Sequence, residues 1–479
     1  MTLFEKKSAF QSFSFHTAIK ILVCAGLLVY VGLRAYHLSF THDEGTSFKI
    51  IQGQPVWDTT ANNHLLNTVL MSRCSKWFGN SEFSLRLPNV FAFVIFGLGA
   101  FLITRTIKNK WVGLFGLIAV LCNTYVLEFF ALARGYGLSL GFMMMSLYFL
   151  VRSSQSQESI FVRDFALSML FASLSIYASL TLINYYIALL VLFVFRFVLL
   201  TRKQNLRSRL KWQFWSLTLV SLIPLILAMN RLLGLKSRNE LYFGAPSFFK
   251  GFDALTFSAL AQSSFVLKIV LVLKVLTVFS VAGAILLVFA KKLYTSALAQ
   301  MLLLVGLLLG GIFFEGIVLG ASYPSRRTAL FYAPIVGVFI AFLFQTFLQF
   351  YPKASKMLAS VTILLGGFIV WNLTYSVNLK TATDWPYDAN TKKVMLMVKE
   401  KAEQSDRPLI MSNHWTFEPT INYYITTWEL KIEAVTRDPI RLDSDVVYQK
   451  EGDPELPGFE MITKFHYGGE YWVRTQDQE

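Results

Sequence analysis

The chain is poor in charge and in cysteine. Charged residues make up 15% of its 479 positions, whereas hydrophobic residues make up 54% and the mean hydropathy is +0.50. Because soluble proteins are about 25% charged, this composition excludes an ordinary soluble protein and indicates one that crosses a membrane many times. Its three cysteines, Cys24, Cys74 and Cys122, lie far apart, which argues against a disulfide framework and a cysteine metal site.

Acidic residues are scarcer than basic ones. Asp and Glu total 29 against 44 Lys and Arg, which gives a formal net charge of +15. The basic residues are spread between apolar segments and form no aromatic-interleaved patch, so the pattern argues against nucleic acid and favours membrane lipid phosphates as partners. The sequence has no internal repeat, and its C-terminal part has no glycine-rich phosphate loop.

Long apolar runs are frequent, and those of about 17 to 25 residues can cross a bilayer as helices. We place such runs at 18–38, 87–104, 111–130, 135–151, 165–181, 183–200, 214–234, 269–290, 294–318, 329–350 and 357–376. No small-residue cleavage site follows the first run, so we expect it to remain as a signal anchor. The sequence predicts a polytopic α-helical membrane protein with about eleven transmembrane helices.

The basic residues also predict an orientation. If the N-terminus is cytoplasmic, every short cytoplasmic loop contains Lys or Arg, as the positive-inside rule requires. These residues are Lys6, Lys7, Arg105, Lys108, Lys110, Arg152, Arg163, Arg202, Lys203, Arg207, Arg209, Lys211, Lys291, Lys292, Lys353 and Lys356. The loop 39–87 and the C-terminal segment are then expected on the outer, periplasmic or extracytoplasmic, side of the inner (plasma) membrane.

The chain changes character after residue 376. No later apolar run is long enough to cross a membrane, so we divide the chain into a transmembrane catalytic domain, 1–376, and a soluble outer domain, 377–479. In the soluble part we predict helices over 390–404 and 419–428 and strands over 408–412 and 432–435, which together form a small α/β unit. We expect it to support the transmembrane domain or to contact an acceptor.

The segment Thr41-His42-Asp43-Glu44 directly follows the first span. Two adjacent carboxylates at a membrane surface repel each other and must be solvated or paired, which points to a use for them. From the residues alone, a helix start capped by Thr41 with acids in its first turn explains them equally well. The same loop continues with an amphipathic stretch ending at Phe78, which is typical of a helix in the membrane interface.

Four further motifs lie on the same predicted side. They are Asn62-Asn63-His64, Glu82-Phe83-Ser84-Leu85-Arg86-Leu87-Pro88, Ala133-Arg134-Gly135-Tyr136 and Tyr323-Pro324-Ser325-Arg326-Arg327. In this order, after the acid pair, they resemble the polyprenyl-phosphate-sugar-dependent glycosyltransferases with the GT-C fold. The most similar branches are the protein O-mannosyltransferases and the bacterial transferases that modify lipid A and lipopolysaccharide.

The resemblance implies an inverting glycosyltransferase that moves a hexose or pentose from a polyprenyl-phosphate donor to a lipid, glycan or protein acceptor. Asp43 is then the candidate catalytic base and Glu44 its partner. The candidates for binding the donor phosphate are Arg86, Arg134, Arg326 and Arg327, because a guanidinium group matches phosphate in a bidentate fork. Further candidates for substrate contact are Asn63, His64, Tyr136 and Glu315.

Several points stay open at this stage. A divalent metal ion, Mg²⁺ or Mn²⁺, held by Asp43, Glu44 and His64, is compatible with the chemistry but is not required by it. The chain has Asn184-Tyr185-Tyr186 where some relatives have His-Tyr, and Asn63-His64 where many have Lys-Pro-Pro, so sugar and acceptor are unspecified. A transporter or flippase of lipid-linked sugars, or a glycan polymerase or ligase with a pyrophosphate-linked donor, remains an alternative.

Overall fold

The computed structural model describes residues 15–53, 60–154, 158–203, 207–241, 243–251, 253 and 266–475, with backbone only at 158–159, 203, 266–273 and 319. Lys6 and Lys7, which support the predicted orientation, lie outside these residues. The helices before residue 377 are α1 (Phe15–His37), α2 (His42–Ile51), α3 (Leu65–Phe78), α4 (Glu82–Arg105), α5 (Lys110–Leu121), α6 (Thr124–Glu128), α7 (Gly135–Ser153), α8 (Glu158–Ala178), α9 (Ile183–Lys203), α10 (Ser208–Ser237), α11 (Val266–Ala290), α12 (Ala297–Leu319), α13 (Tyr332–Phe350) and α14 (Ser355–Ser376).

Each predicted span falls on one of these helices or on the pair formed by α5 and the short helices after it, which is bent by 55°. Among the described residues, 8 helices are long and apolar enough to cross a membrane, or up to 9 with the bent pair. Helix α7 is not among them, and α11 is described in full only from Lys274 onward. The polytopic helical fold is therefore confirmed, whereas the count of eleven is not.

Small residues bring α4 and α7 close together. A Cβ added at Gly141 would lie 2.7 Å from the carbonyl oxygen of Ala92, and one at Gly99 would lie 3.0 Å from the backbone of Met144. Close backbone approach of this kind strengthens van der Waals packing between helices in lipid. It fixes the N-terminal ends of α4 and α7, where Arg86 and Arg134 lie, at the same end of the bundle.

The C-terminal segment contains α15 (Thr391–Glu403), α16 (Glu418–Thr427) and a four-stranded sheet. Its strands are β1 (Met411–Asn413), β2 (Val446–Lys450), β3 (Phe459–Lys464) and β4 (Gly469–Arg474), in the order β1-β2-β4-β3. Strands β1 and β2 are parallel, and the other pairs are antiparallel. Both helices and β1 agree with the prediction. The strand expected at 432–435 is wrong: Ile432 forms only an isolated bridge with Leu409, at the edge opposite β2, and the pairing does not continue along β1.

The C-terminal segment shares a hydrophobic core with the loop after α1. Phe40 and Phe48 from this loop pack in one cluster with residues of α15 and α16, and the ring of Phe40 stacks on that of Tyr423 at 3.9 Å between centroids. A Cβ added at Gly45 in α2 would lie only 2.5 Å from the carbonyl oxygen of Pro419. Helix α2 is therefore clamped between the membrane helices and the C-terminal segment.

Replacing Gly45 with Ala is expected to push α2 away from α16. Overpacking of a tight contact typically costs about 1–3 kcal/mol, so we expect a loss of stability of this size. Thermal unfolding of the purified protein in detergent measures it. Gly32→Ala in α1 is the matched control, because nothing lies within 4 Å of a Cβ added there. Equal unfolding midpoints for the two variants would contradict the close contact.

Candidate functional site

Glu44 forms a fully buried ion pair with Arg86. The Nε atom of Arg86 donates to Oε1 of Glu44 at 2.8 Å, and Nη2 donates to Oε2 at 2.7 Å. Neither side chain has exposed surface. The remaining N–H groups of Arg86 donate to the carbonyl oxygens that end α1, those of Ala35, Leu38 and Ser39. All five donors of this guanidinium group are thus occupied by protein oxygen atoms.

The carboxylate of Glu44 also fixes two backbone segments. Its Oε1 accepts a hydrogen bond from the backbone N–H of Ala133 at 2.6 Å, and its Oε2 accepts from that of Thr41 at 3.0 Å. Thr41 and Glu44 form a capping box at the start of α2. Glu44 therefore joins the first turn of α2 to the segment before α7, and the helix-start interpretation of the acid pair is correct for this residue.

Asp43 is enclosed by two guanidinium groups. Its Oδ2 atom lies 3.4 Å from Nη2 of Arg134 and 3.5 Å from Nη2 of Arg327. This oxygen is buried and accepts no hydrogen bond from the residues that the structure describes. Burial alone would raise the pKa of Asp43, but Arg134 and Arg327 outweigh it and hold the pKa below its ordinary value. The carboxylate is ionised at neutral pH and has a lone pair available.

Arg134 is held in place from three sides. Its Nη1 atom donates to the carbonyl oxygen of Asp43 at 3.1 Å and to Oγ of Ser47 at 3.0 Å, and its Nη2 atom donates to the Asn62 carbonyl oxygen at 3.2 Å. The side chain is fully buried, and its Nε atom has no hydrogen-bond partner within the described ranges. Asn62 was not a predicted site residue, although it precedes the Asn63-His64 motif.

Arg326 and Arg327 both contact Asp384, a residue that the sequence did not predict for the site. Nε and Nη2 of Arg326 donate to Oδ1 of Asp384 at 3.0 and 2.6 Å. Nη1 of Arg327 lies 3.7 Å from Oδ2 of Asp384, so Arg327 bridges Asp384 and Asp43. Its guanidinium also packs over the ring of Trp385, with 5.0 Å to the centroid. The C-terminal segment therefore supplies side chains to the site.

His64 and Tyr136 lie next to this cluster. The Nδ1 atom of His64 is 2.9 Å from the carbonyl oxygen of Ala178 and must donate to it, so Nε2 is the acceptor nitrogen. Burial, helped by the charge of Arg134, lowers the pKa of His64 well below its ordinary value, and the imidazole is neutral. Nε2 is buried and has no partner among the described residues, while the ring packs edge-on against Tyr136 at 4.6 Å.

A narrow pocket opens beside Arg327. Its lining residues are Tyr136, Ser139, Leu140, Thr181, Leu182, Arg327, Leu330 and Phe331. Most of these side chains are apolar, and the single guanidinium group is that of Arg327.

Two candidates have their contacts elsewhere. Oδ1 of Asn63 accepts a hydrogen bond from Oγ1 of Thr68 at 2.8 Å. Glu315 lies in α12 and accepts from the side-chain amide of Asn184 at 2.5 Å, so it pairs with an amide and not with an arginine. The same Asn184 stands where some relatives have a histidine.

The arrangement does not fit a divalent metal ion held by Asp43, Glu44 and His64. Both oxygens of Glu44 are engaged by N–H and O–H donors, and a cation beside Asp43 would face the guanidinium groups of Arg134 and Arg327. Within the described part of the chain, no group of three or more His, Cys, Asp and Glu side chains is arranged to hold a metal. Asp43, Glu44 and His64 therefore make a poor ligand set.

The lowered pKa of Asp43 gives a prediction for the pH dependence of activity. Asp43 is ionised above its unfolded pKa of about 3.9 and stays ionised until the pH falls through its lower folded value. We therefore expect that protonation of Asp43 or His64 does not lower kcat/KM between pH 7 and about pH 5. Initial rates across this range measure it, and a limb near pH 6 that disappears in His64→Gln would contradict the neutral imidazole.

The chain is similar to known proteins in a part of its sequence and in its fold. Residues 67–228, about a third of the chain, match the family model described as dolichyl-phosphate-mannose-protein mannosyltransferase. The crystal structure of ArnT from Cupriavidus metallidurans bound to undecaprenyl phosphate is similar over 96% of this chain and 98% of its own, with a TM-score of 0.50 and 12% identity. The crystal structure of the same ArnT in the apo state is similar over 95% of this chain and 97% of its own, with a TM-score of 0.51 and 11% identity.

The oligosaccharyltransferase AglB from Archaeoglobus fulgidus, in complex with an inhibitory peptide and a dolichol-phosphate, gives a TM-score of 0.45 at 10% identity, over 90% of this chain and 70% of its own. No curated protein matches the sequence. At such identities the ArnT structures establish the fold, and the activity has to be argued from the site. This chain has the GT-C fold of the polyprenyl-phosphate-dependent glycosyltransferases, as its motifs predicted.

Proposed function

We propose that the protein is an inverting glycosyltransferase that takes a sugar from a polyprenyl phosphate and acts on the outer face of the membrane. The observation that carries this proposal is the Oδ2 atom of Asp43, a buried, ionised carboxylate oxygen with a free lone pair between two guanidinium groups. Transfer from a lipid phosphate needs a proton acceptor next to cations that stabilise the leaving phosphate. Asp43, Arg134 and Arg327 supply both.

The reaction follows from this geometry. The acceptor oxygen or nitrogen forms a bond to the anomeric carbon from the face opposite the phosphate, which inverts the configuration. The bond between the anomeric carbon and the phosphate oxygen breaks, and its electron pair leaves with the phosphate. The acceptor proton passes to Oδ2 of Asp43. Because the pKa of Asp43 is low, this transfer occurs late, when the attacking group has become acidic.

The remaining candidates divide into two groups. Arg134 and Arg327 each have an Nε–H that no described residue accepts, so they can donate to the donor phosphate. Arg86 has no donor left, and with Glu44 it positions α2. We therefore assign the phosphate to Arg134 and Arg327, and to the half-exposed Arg326 beside Arg327, but not to Arg86.

The charge of the cluster favours a donor with one phosphate. Arg134, Arg326 and Arg327 carry three positive charges, and Asp43 and Asp384 carry two negative ones. The excess of one positive charge matches the single negative charge of a phosphodiester. A pyrophosphate-linked donor would bring at least one further negative charge beside Asp43. The undecaprenyl phosphate bound by the similar ArnT also supports a monophosphate donor.

The test is to incubate the purified protein with radiolabelled sugars on polyprenyl phosphate and on polyprenyl pyrophosphate, together with lipid A, glycan and peptide acceptors. We expect label to move from the monophosphate donors only, and NMR of the product to show an inverted anomeric centre. Transfer from the pyrophosphate donors alone would favour the polymerase or ligase. Movement of labelled lipid across vesicles without transfer would favour the transporter.

A further inference from the structure

Asp384 is the most heavily engaged carboxylate at the proposed phosphate site. It accepts two hydrogen bonds from Arg326, pairs with Arg327, and accepts from the hydroxyl of Tyr125 at 3.1 Å to Oδ1 and 3.0 Å to Oδ2. Only 6% of its side chain is exposed. Two of the three guanidinium groups assigned to the donor phosphate are thus already opposed by this one carboxylate.

The connector that carries Asp384, residues 377–390, is fixed to the membrane helices. Arg34 in α1 is fully buried, pairs with Glu128 at 3.1 Å, and donates to Oδ1 of Asn378 at 3.1 Å. The backbone N–H of Thr383 donates to Oε2 of Glu128 at 2.9 Å. These contacts tie the connector to the last turn of α1 and to the last residue of α6. Asp384 is therefore presented to the arginines by a rigid segment.

The substrate and the product of the proposed reaction differ in charge. The donor is a phosphodiester with one negative charge, whereas the released polyprenyl phosphate is a monoester with a second pKa near 6 and carries about −1.5 to −2 at pH 7. Once Asp43, whose pKa is low, has passed its proton to solvent, the charged groups sum to one positive charge with Asp384 in place and to two without it. A site with two positive charges, as without Asp384, matches the charge of the dianionic product and not that of the monoanionic donor.

We propose that Asp384 is a positioning and specificity residue that adjusts the charge of this site to the monoanionic donor and so promotes release of the dianionic lipid phosphate. This inference rests on the proposed function. The connector then has a part in turnover. Asp384 weakens the binding of the released polyprenyl phosphate more than the binding of the sugar donor, because Coulomb attraction between the site and its ligand grows with the charge of the ligand. Product release, and not only chemistry, then depends on a residue of the C-terminal segment.

The test compares Asp384→Asn with Asp384→Glu and the wild type in lipid nanodiscs. Asparagine keeps the shape and can still accept from Arg326, while its amide N–H faces the hydroxyl of Tyr125. We expect Asp384→Asn to bind polyprenyl phosphate about tenfold more tightly, to bind a polyprenyl methyl phosphodiester with a smaller gain, and to show a lower kcat and a lower donor KM. Asp384→Glu, which keeps the charge, should resemble the wild type.

Asp445→Asn is the matched control, because Asp445 has a comparable two-point ion pair with Arg407 on the surface of the C-terminal segment. Thermal unfolding checks that each variant is folded. Unchanged or weaker binding of polyprenyl phosphate by folded Asp384→Asn would overturn the inference, as would equal gains for monoester and diester. If the wild type bound neither ligand, the proposed function itself would fail.

Discussion

Replacing Asp43 with Asn is expected to slow sugar transfer by roughly 10²- to 10⁴-fold, the usual contribution of a positioned proton acceptor. Asparagine has the shape of aspartate but cannot take up the acceptor proton. It also leaves Arg134 and Arg327 less neutralised, so the affinity for an anionic donor should not fall. The loss should therefore appear in kcat and not as a rise in the donor KM, which initial rates at varied donor concentration will show.

Asp445→Asn serves again as the control for this substitution, because the contacts of Asp445 with Arg407 and Ile410 lie within the C-terminal segment, so the rates should stay unchanged. Thermal unfolding of Asp43→Asn separates a chemical effect from loss of fold. Transfer at the wild-type rate in a folded Asp43→Asn variant would remove this residue from the chemistry. A change confined to the donor KM would assign it to binding.

Replacing Arg86 with Ala is expected to destabilise the protein by about 3–5 kcal/mol, the cost of breaking a buried ion pair from one side. Glu44 would lose two charge-assisted hydrogen bonds in a place without solvent, and the carbonyl oxygens of Ala35, Leu38 and Ser39 would lose their donors. We expect a lower yield of monodisperse protein and a clearly lower unfolding midpoint in detergent.

This variant also decides between the two interpretations of Arg86. A phosphate-binding arginine would leave a folded protein with weakened donor binding, whereas the observed contacts predict loss of fold. Arg407→Ala is the control, since Arg407 is 59% exposed and its ion pair with Asp445 is a surface pair, which contributes little to stability. If Arg86→Ala matched Arg407→Ala in stability but required more donor for half-maximal rate, the phosphate interpretation would be restored.

Hydropathy predicted the helices of the membrane part because a spanning segment must be apolar and must satisfy its own backbone hydrogen bonds. The C-terminal strands were harder. Val446-Val447-Tyr448 in β2 and Tyr471-Trp472-Val473 in β4 have the β-branched and aromatic residues typical of strands, yet neither segment is among the predicted strands. The segment 432–435 has residues of the same kind, but only Ile432 pairs there, as an isolated bridge at the edge opposite β2, and the extent of such pairing depends on tertiary structure.

The motifs predicted that Asp43, Arg134 and Arg327 lie on one side of the membrane, because each of these residues is at the outer end of a predicted span. Asp384 was missed, since its partner Tyr125 is 259 residues away and nothing in the sequence around it indicates this contact. The partners of Arg86 could not be predicted either. They are carbonyl oxygens that become available only because α1 ends at residue 37. The sequence shows which residues are charged, but it does not show which of them form ion pairs with each other.

The contact between α2 and the C-terminal segment also sets an order of assembly. The backbone N–H of His42, at the start of the helix that carries Asp43, donates at 2.7 Å to Asp388, which lies 346 residues later. A nascent chain can insert α1 to α7 long before Asp384, Trp385 and Asp388 have been synthesised. During that interval Asp43 has membrane helices around it but lacks its contacts with the C-terminal segment. In the proposed function, the site is therefore incomplete until the connector, residues 377–390, has been translated.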